Sequence, residues 1–368
     1  MSMTGRERLL TAIHNGKPDR LPCLIHAWVD YHLKTYMKGM DQFQAYECIG
    51  MDPVIYIVPN YIYNDKDYKN WKVDYRELGI DPDGNHLWER VITTPDGVLT
   101  EKGSYNEYTS WTTEFIIKNE QDFEIWNKYV PLPERVDWGP VREAKRKVGD
   151  RGIVRGSVFD FGQGSPWQTF TGFLYGTEKA IMACFDQPDW VHYVLDSLLK
   201  KKLSVLGRSD ALEYDLVESG GGGGSSTVIS PRLHREFCLP YDQVQHAAIH
   251  EYGVKIVYHL CGGVMPMLEL VAENGADGLE TMTPPSMGGN CDLAEAKRRV
   301  GGKLFLIGGF DQNAGFEQGN PKLIREMVFK LHSCCPDGGY ICAPSDQFFH
   351  GSVENLRAFA DACRECVY

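Results

Sequence analysis

The sequence has no apolar run that approaches the ~20 residues needed to cross a bilayer. It is also poor in basic residues, because 38 Lys and Arg stand against 50 Asp and Glu, a formal net charge of −12. This acidic balance argues against nucleic acid and anionic membrane surfaces as partners. The first twenty residues lack the apolar core of a secretory signal, so we expect a cytoplasmic protein.

Cysteine, by contrast, is frequent, with eleven residues in the chain. In a reducing compartment most of these residues are expected to be buried thiols and not disulfides. The position of each cysteine in the predicted fold then decides whether it is a candidate metal ligand.

Short apolar segments alternate with helical stretches along most of the chain, which predicts an α/β fold with a parallel sheet. Eight such segments are predicted as strands, and eight βα units favour closure into a (β/α)8 TIM barrel. A doubly wound open sheet is the alternative, but no GxGxxG motif follows the first predicted strand. The predicted strands cover residues 21–28, 52–59, 152–158, 213–219, 255–261, 276–282, 303–310 and 338–345.

Residues 60–140 interrupt this alternation. The stretch "LWERVITTPDGVLTEKG" predicts a β-hairpin with T-P-D-G at its turn, and "YTSWTTEFII" predicts a further strand. We therefore expect a single barrel domain over residues 1–368, with a small β-rich insertion after the second strand.

Polar side chains follow several of the predicted strands, where the active sites of such barrels lie. His259 and Cys261 are two residues apart on an extended chain, so they project to the same side. Imidazole nitrogen and thiolate sulfur suit zinc, although a lone His-x-Cys pair also occurs in ordinary packing. The candidate ligands at these strand ends are His259, Cys261, Glu280 and Asp346, with Glu218 or Cys342 as further options.

Other features at the same end of the predicted barrel suggest binding surfaces. A five-glycine run at 220–224 would let a cofactor approach the backbone closely, with Gly221 and Gly222 as the candidate contacts. Aromatic side chains near the first two strands could wall a substrate pocket, or could simply pack the insertion against the barrel. These side chains are Trp28, Tyr56 and Tyr61, together with Tyr63 and Trp71.

Five stretches of the chain are similar to one known family. They are "GRERLLTAIHNGKPDRLP", "SPRLHREFCLPY", "HLCGGVMPMLELVAENGADGLE", "DLAEAKRRVGGKLFLIGGFD" and "VENLRAFADA". On these stretches the chain resembles the uroporphyrinogen decarboxylase superfamily over nearly its whole length. The resemblance implies a (β/α)8 barrel, in agreement with the strand count.

The resemblance implies one of two chemistries. One is the cofactor-free decarboxylation of uroporphyrinogen, and the other is zinc-dependent methyl transfer with a corrinoid protein as partner. The decarboxylases carry an arginine-rich segment after the first strand that holds the substrate carboxylates, whereas this chain has "HAWVDYHLKTYMKG" there. The methyltransferases carry His-x-Cys after the fifth strand, which matches His259 and Cys261. Methyl transfer is therefore the favoured function.

The resemblance also bears on the remaining zinc ligands. The coenzyme M methyltransferases supply a further Cys after the last strand, where this chain has Ser345 or Asp346, with Cys342 as the nearest thiol. The related cobalamin-independent methionine synthase adds a Glu after its own His-x-Cys, and Glu280 resembles that residue. The implied site is His259, Cys261, Glu280 and Asp346, with Cys342 in reserve.

A carboxylate in place of a thiolate favours zinc as a Lewis acid on the oxygen or nitrogen that carries the substrate methyl. The expected reaction moves a methyl group from an aryl methyl ether or methylamine to a corrinoid (cobalamin) carried by a partner protein. Glu218, Asp346 and His26 are the candidate catalytic groups. The alternatives are a cofactor-free lyase that uses Asp346 or His26 as proton donor, and a barrel without catalytic activity.

Overall fold

The computed structural model describes residues 2–159 and 164–368. The helices are α1 (Gly5–Ile13), α2 (Asp30–Thr35), α3 (Gln42–Ile49), α4 (Glu120–Tyr129), α5 (Gly139–Val148), α6 (Pro166–Thr169), α7 (Thr177–Asp186), α8 (Pro188–Leu206), α9 (Pro231–Phe237), α10 (Leu239–His250), α11 (Leu268–Glu273), α12 (Leu293–Val300), α13 (Pro321–Ser333) and α14 (Val353–Glu365). The strands are β1 (Val54–Tyr56), β2 (Asn60–Ile62), β3 (Lys72–Ile80), β4 (His86–Thr94), β5 (Gly97–Tyr105), β6 (Ser110–Glu114), β7 (Arg135–Asp137), β8 (Ile153–Ser157), β9 (Leu216–Gly220), β10 (Lys255–His259), β11 (Gly278–Thr281), β12 (Phe305–Phe310) and β13 (Tyr340–Pro344). Among the described residues, every helix is too short or too polar to cross a membrane.

A seven-stranded parallel sheet forms the centre of the fold, in the order β1-β8-β9-β10-β11-β12-β13. Helices follow most of its strands, which gives the TIM-barrel-like α/β architecture that the alternation of apolar and helical segments predicts. Seven of the eight predicted strands therefore belong to this sheet.

The prediction of a strand over residues 21–28 is wrong, because this segment forms only a single parallel bridge between Cys23 and Cys342. Pro22 has no N–H to donate, and the N–H of Cys23 donates to the carboxylate of Asp52. The hydroxyl of Tyr46 hydrogen-bonds to both the N–H and the C=O of Ile25. These backbone groups are therefore not paired with a neighbouring strand. The segment nevertheless hydrogen-bonds to Cys342 on one side and to the backbone N–H of Asp52 on the other, so it joins the two edges of the sheet.

The chain between β1 and β8 contains a four-stranded antiparallel sheet, β3-β4-β5-β6, and a two-stranded sheet, β2-β7. The stretch with the T-P-D-G turn forms β4 and β5, which pair from His86 with Tyr105 to Thr94 with Gly97. Strand β3 pairs with β4 on one side only, and all nine of its residues are exposed.

Candidate metal and catalytic site

The inner face of the parallel sheet carries two layers of side chains. The first layer is apolar, and the second, two residues further along the strands, is polar. The apolar layer includes Leu216, Val257 and side chains of α1 that cover its end. Because side chains of a strand alternate between its two faces, a residue two positions later lies on the same inner face. In five segments, the residue two positions after a member of the apolar layer has a polar or aromatic side chain. These residues form the polar layer and are His26, Tyr56, Arg155, Glu218 and His259.

Arg155 is the centre of a buried ion network in this polar layer. Its guanidinium, fully buried, donates to both carboxylate oxygens of Glu280 at 2.8 and 3.0 Å and to Glu218 at 2.5 Å. Burial would raise the pKa of Glu280, but the charge of Arg155 and hydrogen bonds from His259 and His26 hold it well below its usual value. The network keeps the Glu280 carboxylate ionised inside the protein.

His259 connects this network to a second group of polar side chains. Its Nδ1 lies 3.0 Å from Glu280 Oε1 and 3.9 Å from Glu218 Oε1. Burial lowers the pKa of His259, but its hydrogen bonds with Cys261 and Glu280 and the nearby carboxylate charges raise it well above its usual value. Since an ionised carboxylate only accepts hydrogen bonds, Nδ1 donates a proton to Glu280, and Nε2 is the nitrogen that would give up its own proton to bind a metal.

Among the described residues, two groups of potential metal ligands share His259. The first combines His259 with His26, Glu218 and Glu280, of which the two glutamates and His259 are buried and the His26 side chain is 10% exposed. The second combines His259 with Cys261 and Asp346, and its last two members are partly exposed. Within each group the ligand atoms lie within 4.8 Å of one another. The structure thus brings His259, Cys261, Glu280 and Asp346 to one site from three separate segments.

Cys342, the reserve ligand, lies elsewhere. It is fully buried in the core between the sheet and the surrounding helices, where its thiol contacts Cys363 of α14. Its neighbours Ile341 and Ala343 belong to the inner apolar layer, so the alternation of the strand turns the Cys342 side chain outwards. The expectation that Cys342 could replace Asp346 at the site is therefore wrong.

The five-glycine run forms the end of β9 and a short 3₁₀ turn beside the second ligand group. A Cβ atom on Gly222 would lie 2.6 Å from Cys261 Sγ, and one on Gly221 would lie 2.3 Å from the side chain of Gln168. Gly223 donates its N–H to Gln168 Oε1 at 2.8 Å. The run is therefore a closely packed wall of the site, in which glycine makes room for Cys261.

Replacing Gly222 with alanine should displace the Cys261 thiol, because sulfur and carbon cannot approach to 2.6 Å. If Cys261 is a metal ligand, we expect about tenfold weaker metal retention, as is typical when a ligand loses its orientation. Equilibrium dialysis against a chelator measures this effect. Gly302→Ala is the matched control, because the space around its added Cβ is open. Equal metal retention in both variants would contradict the predicted contact.

The three aromatic residues predicted to bind substrate lie in three different environments. Tyr56 lies beside the polar layer, with its ring 5.6 Å from the Arg155 guanidinium. Trp28 packs edge-on against Tyr46 at 5.7 Å, and Tyr61 packs against Phe159 at 5.1 Å. The three rings thus have different neighbours, and their role in substrate binding stays a prediction.

His26, predicted as a catalytic group, does lie at the site. Its Nδ1 is 3.6 Å from Glu280 Oε1, and its ring centroid is 4.9 Å from that of His259. Although the segment that carries it is not a regular strand, His26 follows Leu24 of the apolar layer by two residues and so faces inwards.

Arg155 is the residue of the site that sequence reasoning missed. The signal was present, because an arginine stands in the middle of the predicted buried strand "GIVRGSV". A charge inside a buried strand requires a partner of opposite sign, which would have pointed to the glutamates in two other buried strands, Glu218 and Glu280.

The parallel sheet and the ligand groups at the carboxyl ends of its strands define a TIM-barrel-like protein with a candidate metal and catalytic site. Residues 135–366 match the family described as uroporphyrinogen decarboxylase (URO-D), and the chain belongs to this family. Uroporphyrinogen decarboxylases are among its relatives. The enzyme from Pseudomonas syringae pv. tomato is 30% identical over 264 residues, and that from Pseudomonas fluorescens Pf-5 is 27% identical over 263 residues. Each alignment covers 67% of both chains.

A solved methyltransferase from Methanosarcina mazei shares the fold. Its TM-score is 0.64 at 14% sequence identity, and the match covers 99% of each chain. At this identity the similarity concerns the fold. The family shown by the sequence and the fold shown by the structure agree with the resemblance seen in the sequence.

Proposed function

We propose that this protein is a zinc-dependent methyltransferase that moves a methyl group between a small methylated substrate and a corrinoid protein. The observation that carries the proposal is the group formed by His259, Cys261 and Asp346.

The chemistry of this group suits zinc. Imidazole nitrogen, thiolate sulfur and carboxylate oxygen are the three usual zinc donors in proteins. Three protein ligands leave one coordination position for substrate, as catalytic zinc sites require. Cys261 and Asp346 are partly exposed, so a substrate can approach from their side.

The alternative group of His26, Glu218, His259 and Glu280 suits a dication less well. Arg155 already compensates both glutamates at 2.5–3.0 Å, and its guanidinium would repel a metal ion bound by the same carboxylates. We therefore assign Glu280 a supporting role, in which it binds the proton of His259 Nδ1 and directs Nε2 towards the metal. A carboxylate–histidine–zinc arrangement of this kind is common.

In the proposed reaction, the substrate methyl would pass to the corrinoid of the partner protein, which would supply the electron pair for the new bond to the methyl carbon. The carbon–oxygen or carbon–nitrogen bond breaks, and its electron pair stays on the oxygen or nitrogen. Zinc held by the three ligands would act as a Lewis acid on that atom. Glu280 and Arg155 hold His259 in place throughout, and the wall at Gly222 holds Cys261.

The corrinoid is expected on a separate protein, because the described βα units contribute their strands to the one parallel sheet. The aryl methyl ether and the methylated amine are the two substrate classes that the sequence favours.

The second candidate function is cofactor-free decarboxylation, and the identity of 27–30% to uroporphyrinogen decarboxylases favours it. A substrate with several carboxylates needs several arginines that are free to bind it. In the described part of the polar layer the guanidinium of Arg155 is already bound by Glu218 and Glu280. We therefore place this function second.

The test offers zinc-loaded protein and reduced free cobalamin a panel of methoxylated arenes and methylamines. We expect the absorbance spectrum of methylcobalamin to appear with at least one substrate and to disappear in His259→Ala. The reverse assay supplies methylcobalamin with thiol acceptors. Methyl transfer in neither direction, together with carbon dioxide release from a carboxylated substrate, would replace this proposal with the decarboxylase.

A further inference from the structure

The end of β11 places two threonines beside the loop that follows β10. The two strands run parallel with His259 opposite Glu280, and the N–H of Leu260 donates to the C=O of Glu280 at 3.3 Å. Thr281 and Thr283 come next along the chain, and they are only 2% and 5% exposed. Hydroxyl groups buried in this way need hydrogen-bond partners inside the protein.

The two hydroxyls form a short chain of hydrogen bonds with the backbone of that loop. Thr281 Oγ1 donates to the C=O of Leu260 at 3.1 Å, and the N–H of Gly262 donates to Thr283 Oγ1 at 3.2 Å. The two hydroxyl oxygens lie 3.1 Å apart. Because the Thr281 proton goes to the carbonyl, the proton between the two hydroxyls comes from Thr283. We call this pair of residues the threonine clamp.

Cys261 lies between the two backbone groups that the clamp binds. The C=O of Leu260 belongs to the peptide group before Cys261, and the N–H of Gly262 belongs to the peptide group after it. Because peptide groups are planar, holding both of them fixes the two backbone dihedrals of Cys261 and the direction of its side chain. On the side of the thiol, the wall at Gly222 limits its position further.

The backbone of the clamp is strained. Thr281 has a φ of +89° and Met282 a φ of +49°, in the left-handed region that a β-branched residue such as threonine rarely adopts. The neighbouring strand is fitted to this bend, because a Cβ on Gly308 would lie 2.0 Å from the carbonyl oxygen of Thr281. Strain of this kind persists where the surroundings hold it and is frequent at functional sites. Glycine would relieve it, but glycine has no hydroxyl to bind Leu260.

We propose that Thr281 and Thr283 are positioning residues that direct the Cys261 thiolate towards the metal. The inference rests on the function proposed above, whose zinc site includes Cys261. One segment then orients both members of the His-x-Cys pair, because Glu280 binds His259 and the threonine clamp holds Cys261.

The test is a titration of the metal-free, full-length protein with cobalt(II), which accepts the same nitrogen, sulfur and oxygen ligands as zinc. The absorption band of a thiolate–cobalt bond reports the contact between Cys261 and the metal, and the titration gives the Kd. Thr281→Val and Thr283→Val keep the branched shape and lose the hydroxyl. We expect each to bind cobalt about tenfold more weakly and to show a weaker band. Thr281→Ser, which keeps the hydroxyl, should retain the wild-type Kd and band.

Thr94→Val is the matched control. Thr94 is also buried, and its Oγ1 donates to the C=O of Gly97 at 2.8 Å in the hairpin of the inserted sheet. Its loss removes the same kind of hydrogen bond away from the metal site and should leave the Kd and the band unchanged. Urea unfolding without metal shows whether each variant is folded, and Thr283→Val carries the test if Thr281→Val does not fold.

An unchanged Kd and band in both valine variants would overturn the inference, as would the absence of a thiolate–cobalt band in the wild type. The methyl-transfer assay separates this result from the proposed function. A weaker band in both valine variants, without any methyl transfer by the wild type, supports the clamp and rejects the methyltransferase. Methyl transfer by the wild type, with an unchanged band in both valine variants, supports the methyltransferase and rejects the clamp.

Discussion

Protein with Cys261 replaced by serine should lose most of its zinc, while the wild type should hold about one zinc ion per chain. A serine hydroxyl remains protonated near neutral pH and does not replace a thiolate ligand. His259→Ala and Asp346→Ala should have the same effect, because these residues form one ligand group with Cys261. Metal content after dialysis, measured by mass spectrometry, checks the prediction.

Two further variants separate the ligands from their surroundings. Cys342→Ser should keep its zinc, because the Cys342 side chain lies in the core away from the site. Glu280→Gln should bind zinc about 10–100-fold more weakly but still measurably, as expected when a metal-binding histidine loses its carboxylate partner. Complete loss of zinc in Glu280→Gln would make Glu280 a direct ligand. Full zinc content in Cys261→Ser would reject the site.

Arg155→Met should lower the free energy of unfolding by about 3–5 kcal/mol. The substitution removes the buried guanidinium that Glu218 and Glu280 share, and removal of one partner of a buried ion pair has a cost of this size. Methionine is a long flexible side chain that fills much of the space of arginine, so the cavity contribution stays small. Urea unfolding of both proteins, with the metal removed by chelator, measures the difference.

Arg298→Met is the matched control for this measurement. Arg298 also pairs with a glutamate, Glu295, but both side chains are exposed on the surface of α12. Exposed ion pairs contribute about 0–1 kcal/mol, so the control should unfold almost like the wild type. A loss below about 1 kcal/mol in Arg155→Met would mean that water or structural rearrangement compensates the two glutamates.

The architecture could be predicted because the apolar segments have the length and spacing of buried strands, and such patterns are local. The His259–Cys261 pair could be predicted for the same reason, since two residues separated by one position project to the same side. The hairpin with T-P-D-G at its turn could also be predicted, because the turn sequence is a local signal. The segment at 21–28 was misjudged because Asp52 and Tyr46, distant in sequence, take the hydrogen bonds that would have made it a strand.

The sequence by itself determined which residue types stand at the ends of the strands, because the alternation of side chains along each strand sets the face that they occupy. Only the tertiary structure decided how these residues combine. The inward side chains of two strands gave Arg155 its glutamates, Glu218 on the neighbouring β9 and Glu280 on the more distant β11, and the alternation of β13 turned Cys342 towards α14. The threonine clamp depends on the parallel pairing of β10 with β11. That pairing joins residues 21 positions apart in the chain, so no local pattern encodes it.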